Sequence, residues 1–375
     1  MTTHGASYDL IVVGAGIVGC ACAEAASAEG LRVAVVEPAA IGGGATAAAM
    51  GHLVAMDDDP AELALTRYSL RFWDAYANLP AAEFSRCGTL WVASNDDECA
   101  AIAGRIQRLA AAGVHAEQLD SKALHEAEPE LVPGLAGGML VPAEGVVYPP
   151  RMALHLLGSA QARGTRLYAG RRVVALHDDG ATLDNGDRLH GPVLVAAGCA
   201  TPTLLPQLPV RGRKGHLVIT DRYPGLVRHQ VLELGYAASA HGSDRSSVAF
   251  NVQPRPTGQI LIGSSREFDA TDDSVSRPLL RRMLARAFHF MPALGELQAV
   301  RVWTGFRPTS PDGRPYLGAV DDRDRCWVAT GHEGHGVTTA LGSARLLVDL
   351  MLGRTPAIDP TPYAPSRVMA QQVTA

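Results

Sequence analysis

The run YDLIVVGAGIVG, residues 8–19, constrains this chain more than any other stretch. Asp9 to Val13 reads as a short apolar strand, GAGIVG supplies Gly14, Gly16 and Gly19, an alanine-rich helix reaches about Gly30, and RVAVVE forms a second strand ending at Glu37. In such a unit the first glycine permits a tight turn, the second lets the backbone approach a pyrophosphate, and the third lets helix and strand pack closely. The helix amino terminus then faces the phosphates. Glu37 lies 18 residues after Gly19, where a carboxylate accepts hydrogen bonds from both ribose hydroxyls. The spacing predicts a Rossmann-like α/β unit that holds a dinucleotide, and by itself it leaves NAD and FAD both open.

The next stretch, IGGGATAAAMGHL (41–53), favours FAD. A simple nicotinamide domain has no need of so many small residues beyond the ribose-binding strand. Side chains this small let a backbone lie along an extended ligand, reaching from the pyrophosphate to a flavin ring.

Composition narrows the remaining classes. Of 375 residues 47% are hydrophobic and 19% charged, enough for one large domain or two interleaved ones. The formal charge is -5 and basic residues form no runs, so nucleic acid is not an expected partner and an RNA-modifying role finds no basic surface. Six scattered cysteines, Cys20, Cys22, Cys87, Cys99, Cys199 and Cys326, show neither a zinc spacing nor a disulfide framework, so no metal is expected and a reducing cytoplasm suits them. The apolar run from Leu10 is broken by glycines and Glu24 and has no basic segment before it, so no signal or transmembrane segment is expected.

Along the chain, residues 62–78 carry apolar positions at helical spacing and lead into a strand at 88–94. Charged helical text and a Pro/Gly-rich passage follow to about 145, then a helix from Tyr148, short strands with Gly/Asp/Asn turns, and the buried strand VLVAAG ending at Gly198. Residues 209–270 alternate as half-exposed strands, among them HLVIT, SSVAFNVQ and QILIGSS, and 278–291 read as helix. A disordered tail is expected only within the last dozen residues.

Two further features carry chemistry. Residues 326–352, CWVATGHEGHGVTTALGSARLLVDLML, form a second strand, glycine turn and helix, with no acidic residue at ribose spacing. The positive end of that helix near Val337 suits the anionic edge of a reduced flavin. Within this turn His332 reads as structural, while His335 is divided between a structural place and the substrate cavity. In WTGFRPTSPDGRPYLG (303–318), Arg307 stands between Phe306 and Pro308, and a buried guanidinium without a partner is costly. Either a carboxylate of the chain, such as Asp312, neutralises it or one arrives with a ligand.

Together YDLIVVGAGIVG, the glycine-rich loop, VLVAAG, WTGFRPTSPDGRPYLG and ATGHEGHGVTTALGSARLL resemble the D-amino-acid oxidase family of flavoproteins, over nearly the whole chain and in order. That family includes glycine oxidase, sarcosine oxidase and D-amino-acid or D-hydroxyproline dehydrogenases. The resemblance implies a glutathione-reductase-like FAD fold, α/β, with residues 1–84, 146–208 and 299–375 binding FAD. An inserted α+β, mixed-sheet substrate domain would take 85–145 and 209–298.

By this resemblance Gly14, Gly16, Ile17, Val18, Gly19, Glu37, Pro38, Ala45, Thr46, Met50, Gly51, His52, Val173 and Gly198 contact FAD, as do His332, Glu333, Gly334, His335, Gly336, Val337 and Thr338. Arg307 matches the arginine that grips the substrate carboxylate, and His335, Asn251 and His52 complete the expected catalytic set. Asn251 stands where glycine oxidase has a pocket tyrosine, and Gly334 replaces a second pocket arginine, so the substrate stays open. RPTSPDG lacks a cysteine and Cys326 lies past the usual attachment point, which implies non-covalent FAD. Leu261 aligns with a lysine that assists oxygen reduction in sarcosine oxidases, which implies a dehydrogenase slow with oxygen.

The implied reaction is oxidation of the C–N bond of a small amino acid, a D-amino acid, a D-proline or D-hydroxyproline type, or N-methyl glycine, by hydride transfer to flavin N5, giving an imine. The electron acceptor would be a quinone, an electron-transfer protein or O2. A different reading is an FAD-carrying electron-relay subunit of a multi-subunit amine dehydrogenase, with partner subunits. Either suits a cytoplasmic protein, with peripheral attachment to the inner membrane left open.

Overall fold

A computed structural model describes residues 6–56, 59–235, 246–268, 270–320 and 323–368. The chain end after 368, where a disordered tail was expected, lies outside the described residues.

Four short apolar segments at distant places in the chain pair as parallel strands. These are β2 (Leu10–Val13), β3 (Val33–Glu37), β13 (Val193–Val195) and β20 (Cys326–Thr330), joined at one edge by β9 (Arg166–Ala169) and at the other by antiparallel β19 (Tyr316–Ala319). The order is β19-β20-β13-β2-β3-β9. The central strands are buried on both faces, which is why they read as continuous apolar runs. Val12, Val35 and Leu194 face α1 (Ile17–Ala28), α6 (Pro149–Ala162) and α8 (Gly336–Met351). Their neighbours Ile11, Val13, Ala34 and Val36 pack on Val173, Ala181, Leu183 and Leu189. Those four belong to a small sheet ordered β1 (Ala6–Ser7), β12 (Arg188–His190), β11 (Gly180–Leu183) and β10 (Val173–His177).

An eight-stranded mixed sheet stands beside this layer. Its order is β18 (Ala299–Thr309), β14 (Arg211–Arg222), β17 (Gln259–Glu267), β16 (Ser246–Pro254), β15 (Gln230–Glu233), β5 (Thr89–Ala93), β7 (Gly137–Val141) and β6 (Glu117–Asp120). Two features depart from expectation. The strands are not half-exposed, because both faces are covered. Ile260 and Ile262 pack with Phe250, Met283 and Phe290 under α7 (Arg277–Phe290), while Leu261 points the other way onto Met50 and Leu217. And β18, which the resemblance places with the FAD-binding segments, pairs along β14 from Arg211↔Thr309 to Thr220↔Ala299. The chain passes from the large sheet to the parallel one only between Thr309 and Tyr316, so Arg307 belongs to the large sheet and looks toward the parallel one.

The remaining helices, α2 (Gly44–Ala47), α3 (Pro60–Trp73), α4 (Asp96–Ala111) and α5 (Ser121–Ala127), and a two-stranded ribbon of β4 (His52–Leu53) with β8 (Gly145–Val146), fill the seam and the flank. Among the described residues no helix is long and apolar enough to cross a membrane.

Candidate active site

The seam between the two sheets holds a cavity of about 610 Å3, within the usual size of small-molecule sites. It starts at the carboxyl ends of β2 and β3. Gly14 has φ +107°, and a Cβ there would lie 2.5 Å from the Ala196 carbonyl oxygen; one on Gly19 would lie 2.0 Å from Gly14 O. These two positions therefore accept only glycine, and they draw α1 onto the strand so that its amino terminus opens into the cavity. Thr46 Oγ1 accepts the Ile17 N–H at 3.0 Å, tying the small-residue loop to the first turn of α1. Glu37 accepts from Ala15 N at 2.7 Å and Ala39 N at 2.8 Å, which fixes its carboxylate on the wall.

From there the wall runs along the small-residue loop to Met50, Gly51 and His52, and ends against β18 and the turn before α8. Of the residues expected at the cofactor, Gly14, Gly16, Ile17, Val18, Glu37, Ala45, Thr46, Met50, Gly51, His52, Gly198, His332, Glu333, Gly334, His335, Gly336 and Val337 line this cavity. Gly19, Pro38, Val173 and Thr338 are not on the wall. Gly19 acts through packing, and Val173 sits in the core beneath the parallel sheet. Thr338 stands behind His52, donating its hydroxyl to the His52 carbonyl at 2.8 Å.

Arg307, Asn251, His52 and His335 meet at the far end. Arg307 Nη1 donates to the Ser265 carbonyl at 3.1 Å. The guanidinium lies over Gly215, where a Cβ would fall 2.3 Å from Nη1. Asp312, the carboxylate considered as its partner, is held instead by Arg367 at 2.7 Å. Among the described residues no carboxylate comes within ion-pair distance of Arg307.

His52 is half-buried within a chain of side chains. Its Nδ1–H donates to Gln230 Oε1, Gln230 Nε2 donates to Thr89 Oγ1 at 2.6 Å, and Asn251 Nδ2 donates to His52 Nε2 at 3.0 Å. Burial, opposed by the Gln230 bond and helped by His335 and Arg307, brings His52 to about 4, so it stays neutral. His332 is likewise held neutral: burial takes it to about 3, and its Nε2 meets Ser343 Oγ at 3.1 Å. His335 lines the cavity and pairs through Nδ1 with Glu62 of α3. Leu261 is absent from the wall; it packs behind Met50.

One group here, Gln230, escaped the sequence reading, and the cationic cluster around Glu333 escaped it too. Gln230 carries no motif and is known only through its bond to His52. Glu333, expected at the cofactor, also anchors a cationic cluster: Arg213 reaches it at 3.0 Å and Arg266 at 3.9 Å. Burial opposes ionisation of Glu333, yet Arg266, Arg307, Arg213 and His335 outweigh it and bring the carboxyl to about 2.

Residues 9–350 match the family described as FAD dependent oxidoreductase, DAO. The chain belongs to this family. It is 33% identical to a glycine oxidase of Pseudomonas aeruginosa, over 96% of this chain and 99% of that one. A D-amino acid dehydrogenase of Rhizorhabdus wittichii is 30% identical, over 72% of this chain and 65% of its own. The crystal structure of glycine oxidase from Geobacillus kaustophilus superposes with a TM-score of 0.86 at 26% identity, covering 96% of this chain and 99% of that one.

The residues present fit the FAD that this family carries. The cavity is long, and it begins at an open helix amino terminus beside a fixed carboxylate. The small side chains of 43–49 leave its middle free of bulk, where larger ones would fill it. Glu37 and the backbone of Gly14–Val18 would hold the adenosine and pyrophosphate, and the turn 332–337 would meet the far end. The one cysteine on the wall among the described residues, Cys199, is pushed by burial to about 11 and donates to the Phe306 carbonyl at 3.7 Å, so it presents a thiol and not a thiolate.

Proposed function

We propose that this FAD-dependent oxidoreductase oxidises the C–N bond of a small α-amino acid, of the D-amino acid, cyclic D-proline or N-methyl glycine class, to an imine. The single observation that carries the reading is Arg307. It is a half-buried cation on the cavity wall, propped over Gly215 and bonded to one carbonyl oxygen, with no described carboxylate at ion-pair distance; Glu333, whose charge it feels, is ion-paired with Arg213. A substrate carboxylate supplies the missing charge, and the planar guanidinium can grip it through two parallel N–H bonds.

FAD, when bound, accepts the hydride and later passes both electrons to an acceptor. The chain's own residues orient and shield. Arg307 fixes one end of the substrate, while Met50, Met56, Val54 and Leu232 wall the site with apolar surface and limit water. As the α-carbon gives up its hydrogen with the bonding pair, the amine lone pair becomes the second C–N bond. The imine then hydrolyses to an oxo acid and an amine. No side chain has to remove a proton from carbon, in keeping with His52, whose two ring nitrogens are already engaged by Gln230 and Asn251. Positioning alone accounts for a large part of such a rate.

The relay-subunit reading draws on a further relative, hydrogen cyanide synthase subunit HcnC of Pseudomonas aeruginosa, 26% identical over 96% of both chains. A relay has no use for a carboxylate grip, so Arg307 favours catalysis. The test is anaerobic mixing of the flavin-loaded protein with D- and L-amino acids, proline analogues and N-methyl amino acids. Bleaching of the flavin by one class is expected. Bleaching by dithionite but by no amino acid would overturn the reading.

A further inference from the structure

Asn251 is 1% exposed, on β16, and lies on the cavity wall beside Arg307 and His52. Its amide is oriented by what holds its nitrogen. His52 Nδ1–H is committed to Gln230 Oε1, so Nε2 is an acceptor, and it takes the Asn251 Nδ2–H at 3.0 Å. Gln230 is itself fixed by Thr89 and by pairing of β15 with β5. As placed, Asn251 donates to His52, His52 to Gln230 and Gln230 to Thr89, which leaves the carbonyl oxygen Oδ1 of Asn251 as the free end of the chain. That atom is buried and has no hydrogen-bond partner among the described residues. A buried acceptor without a donor carries a desolvation penalty that a bound donor removes. It is also the wrong polarity for the substrate carboxylate, which belongs to Arg307.

We propose that Asn251 Oδ1 is the seat of the substrate amino group, accepting one N–H, with His52 and Gln230 as positioning residues that keep the oxygen turned to the substrate. The inference rests on the amino-acid reading above and sharpens it. A carboxylate held by Arg307 and an N–H held by Asn251 fix both ends of an α-amino acid. The N–H bond also sets rotation about the Cα–N bond, and so the direction of the lone pair that must align with the breaking C–H bond. A neutral primary or secondary amine has an N–H to give. A neutral tertiary amine has none. The substrate class is therefore primary and secondary α-amino acids, with N,N-dialkyl amino acids excluded.

The experiment uses the flavin-loaded protein without air. Saturation of the flavin reduction rate gives the Kd of the best amino acid, and competition by the corresponding acid lacking the amino group, inert to oxidation, gives the Kd of the carboxylate alone. The ratio of the two isolates the amine. In the Asn251→Leu variant this ratio should fall by about 2- to 12-fold, the worth of a hydrogen bond between neutral groups, while the desamino acid binds within about threefold of its original Kd, a shift of under ~0.7 kcal/mol. Asn251→Asp, close to isosteric, serves if the leucine variant loses flavin: its acceptor is retained and charged, so the ratio should hold or rise. The N,N-dimethyl derivative of the best substrate should reduce the flavin far more slowly than its N-methyl counterpart. A ratio unchanged in Asn251→Leu, a ratio that falls in Asn251→Asp, or equal reduction by N-methyl and N,N-dimethyl derivatives would overturn the amine seat while leaving the amino-acid reading standing. If no amino acid reduces the flavin, both fall together.

Discussion

Arg307→Lys separates charge from geometry. In the native site Nη1 is spent on the Ser265 carbonyl at 3.1 Å, and the flat guanidinium rests on Gly215. The other guanidinium N–H groups remain to hold a carboxylate as a planar fork. A lysine keeps the charge but is a single point donor, and it cannot serve Ser265 O and both carboxylate oxygens in one plane. The loss is one charge-assisted hydrogen bond, about 1.5 to 3 kcal/mol, which corresponds to a rise in KM of roughly 10- to 150-fold. The flavin should remain, because Arg307 lies at the far end of the cavity from Glu37 and α1. The assay is steady-state oxidation of the best amino acid with an artificial acceptor, with flavin content checked by absorbance against protein. Gly215→Ala is the companion, since its Cβ would displace the guanidinium without changing any charge; it should raise KM in the same direction. A lysine variant with unchanged kcat/KM would refute the carboxylate grip.

The other expectations concern the cofactor, acid stability and the acceptor. Gly14→Ala, whose Cβ would meet Ala196 O at 2.5 Å at a φ of +107°, should purify with little flavin and a lowered Tm, read from absorbance and thermal melting. Acid or heat should release intact FAD from the native protein; colour kept by the denatured polypeptide would show a covalent bond. The Glu333 carboxyl falls from an ordinary 4.5 to about 2 in the fold, so its contribution, roughly 3 kcal/mol, is complete above pH 4.5 and is lost as pH falls toward 2. Glu333→Gln should flatten melting temperature against pH in that window and lower it at neutrality, where Arg213 and Arg266 lose their counter-charge. His52 falls from 6.5 to about 4, so its neutral form also favours the fold above pH 6.5, and that preference fades as pH drops from 6.5 to 4. Reduced flavin should be reoxidised faster by a quinone or dye than by dissolved oxygen, because His52 is neutral, His335 is paired with Glu62 and Leu261 contributes no charge; reoxidation by air at the rate of dye turnover would refute this.

How far the sequence could be read depended on whether a structural demand left a local mark. The parallel sheet did: strands buried on both faces must be apolar throughout, and LIVV, VAVVE and VLV say so residue by residue. Strands β6 and β7 did not. EQLD lies at the edge of the large sheet and is mostly exposed, and GGMLV opens on two glycines, so neither alternates as a strand should. The large sheet looked half-exposed because its alternation is between two apolar faces, one under α7 and one behind Met50.

The site divides along the same line. Arg307 was conspicuous because an apolar-flanked cation violates local expectation. Gly215 was invisible, since one glycine among 39 has no mark until the register Gly215↔Gly305 places it beneath the guanidinium. Gln230, His52 and Asn251 are ordinary polar residues, separated by up to 199 positions, and each satisfies the next. Such a chain is legible only once the fold has closed it, because its information lies in which atom is left over. That remainder, the unpartnered carbonyl oxygen of Asn251, belongs to a residue on the same cavity wall as Arg307, and the two offer one acceptor and one cation to a small substrate. An α-amino acid is complementary to that cation and acceptor together, and a simple carboxylic acid or amine meets only half of the pair.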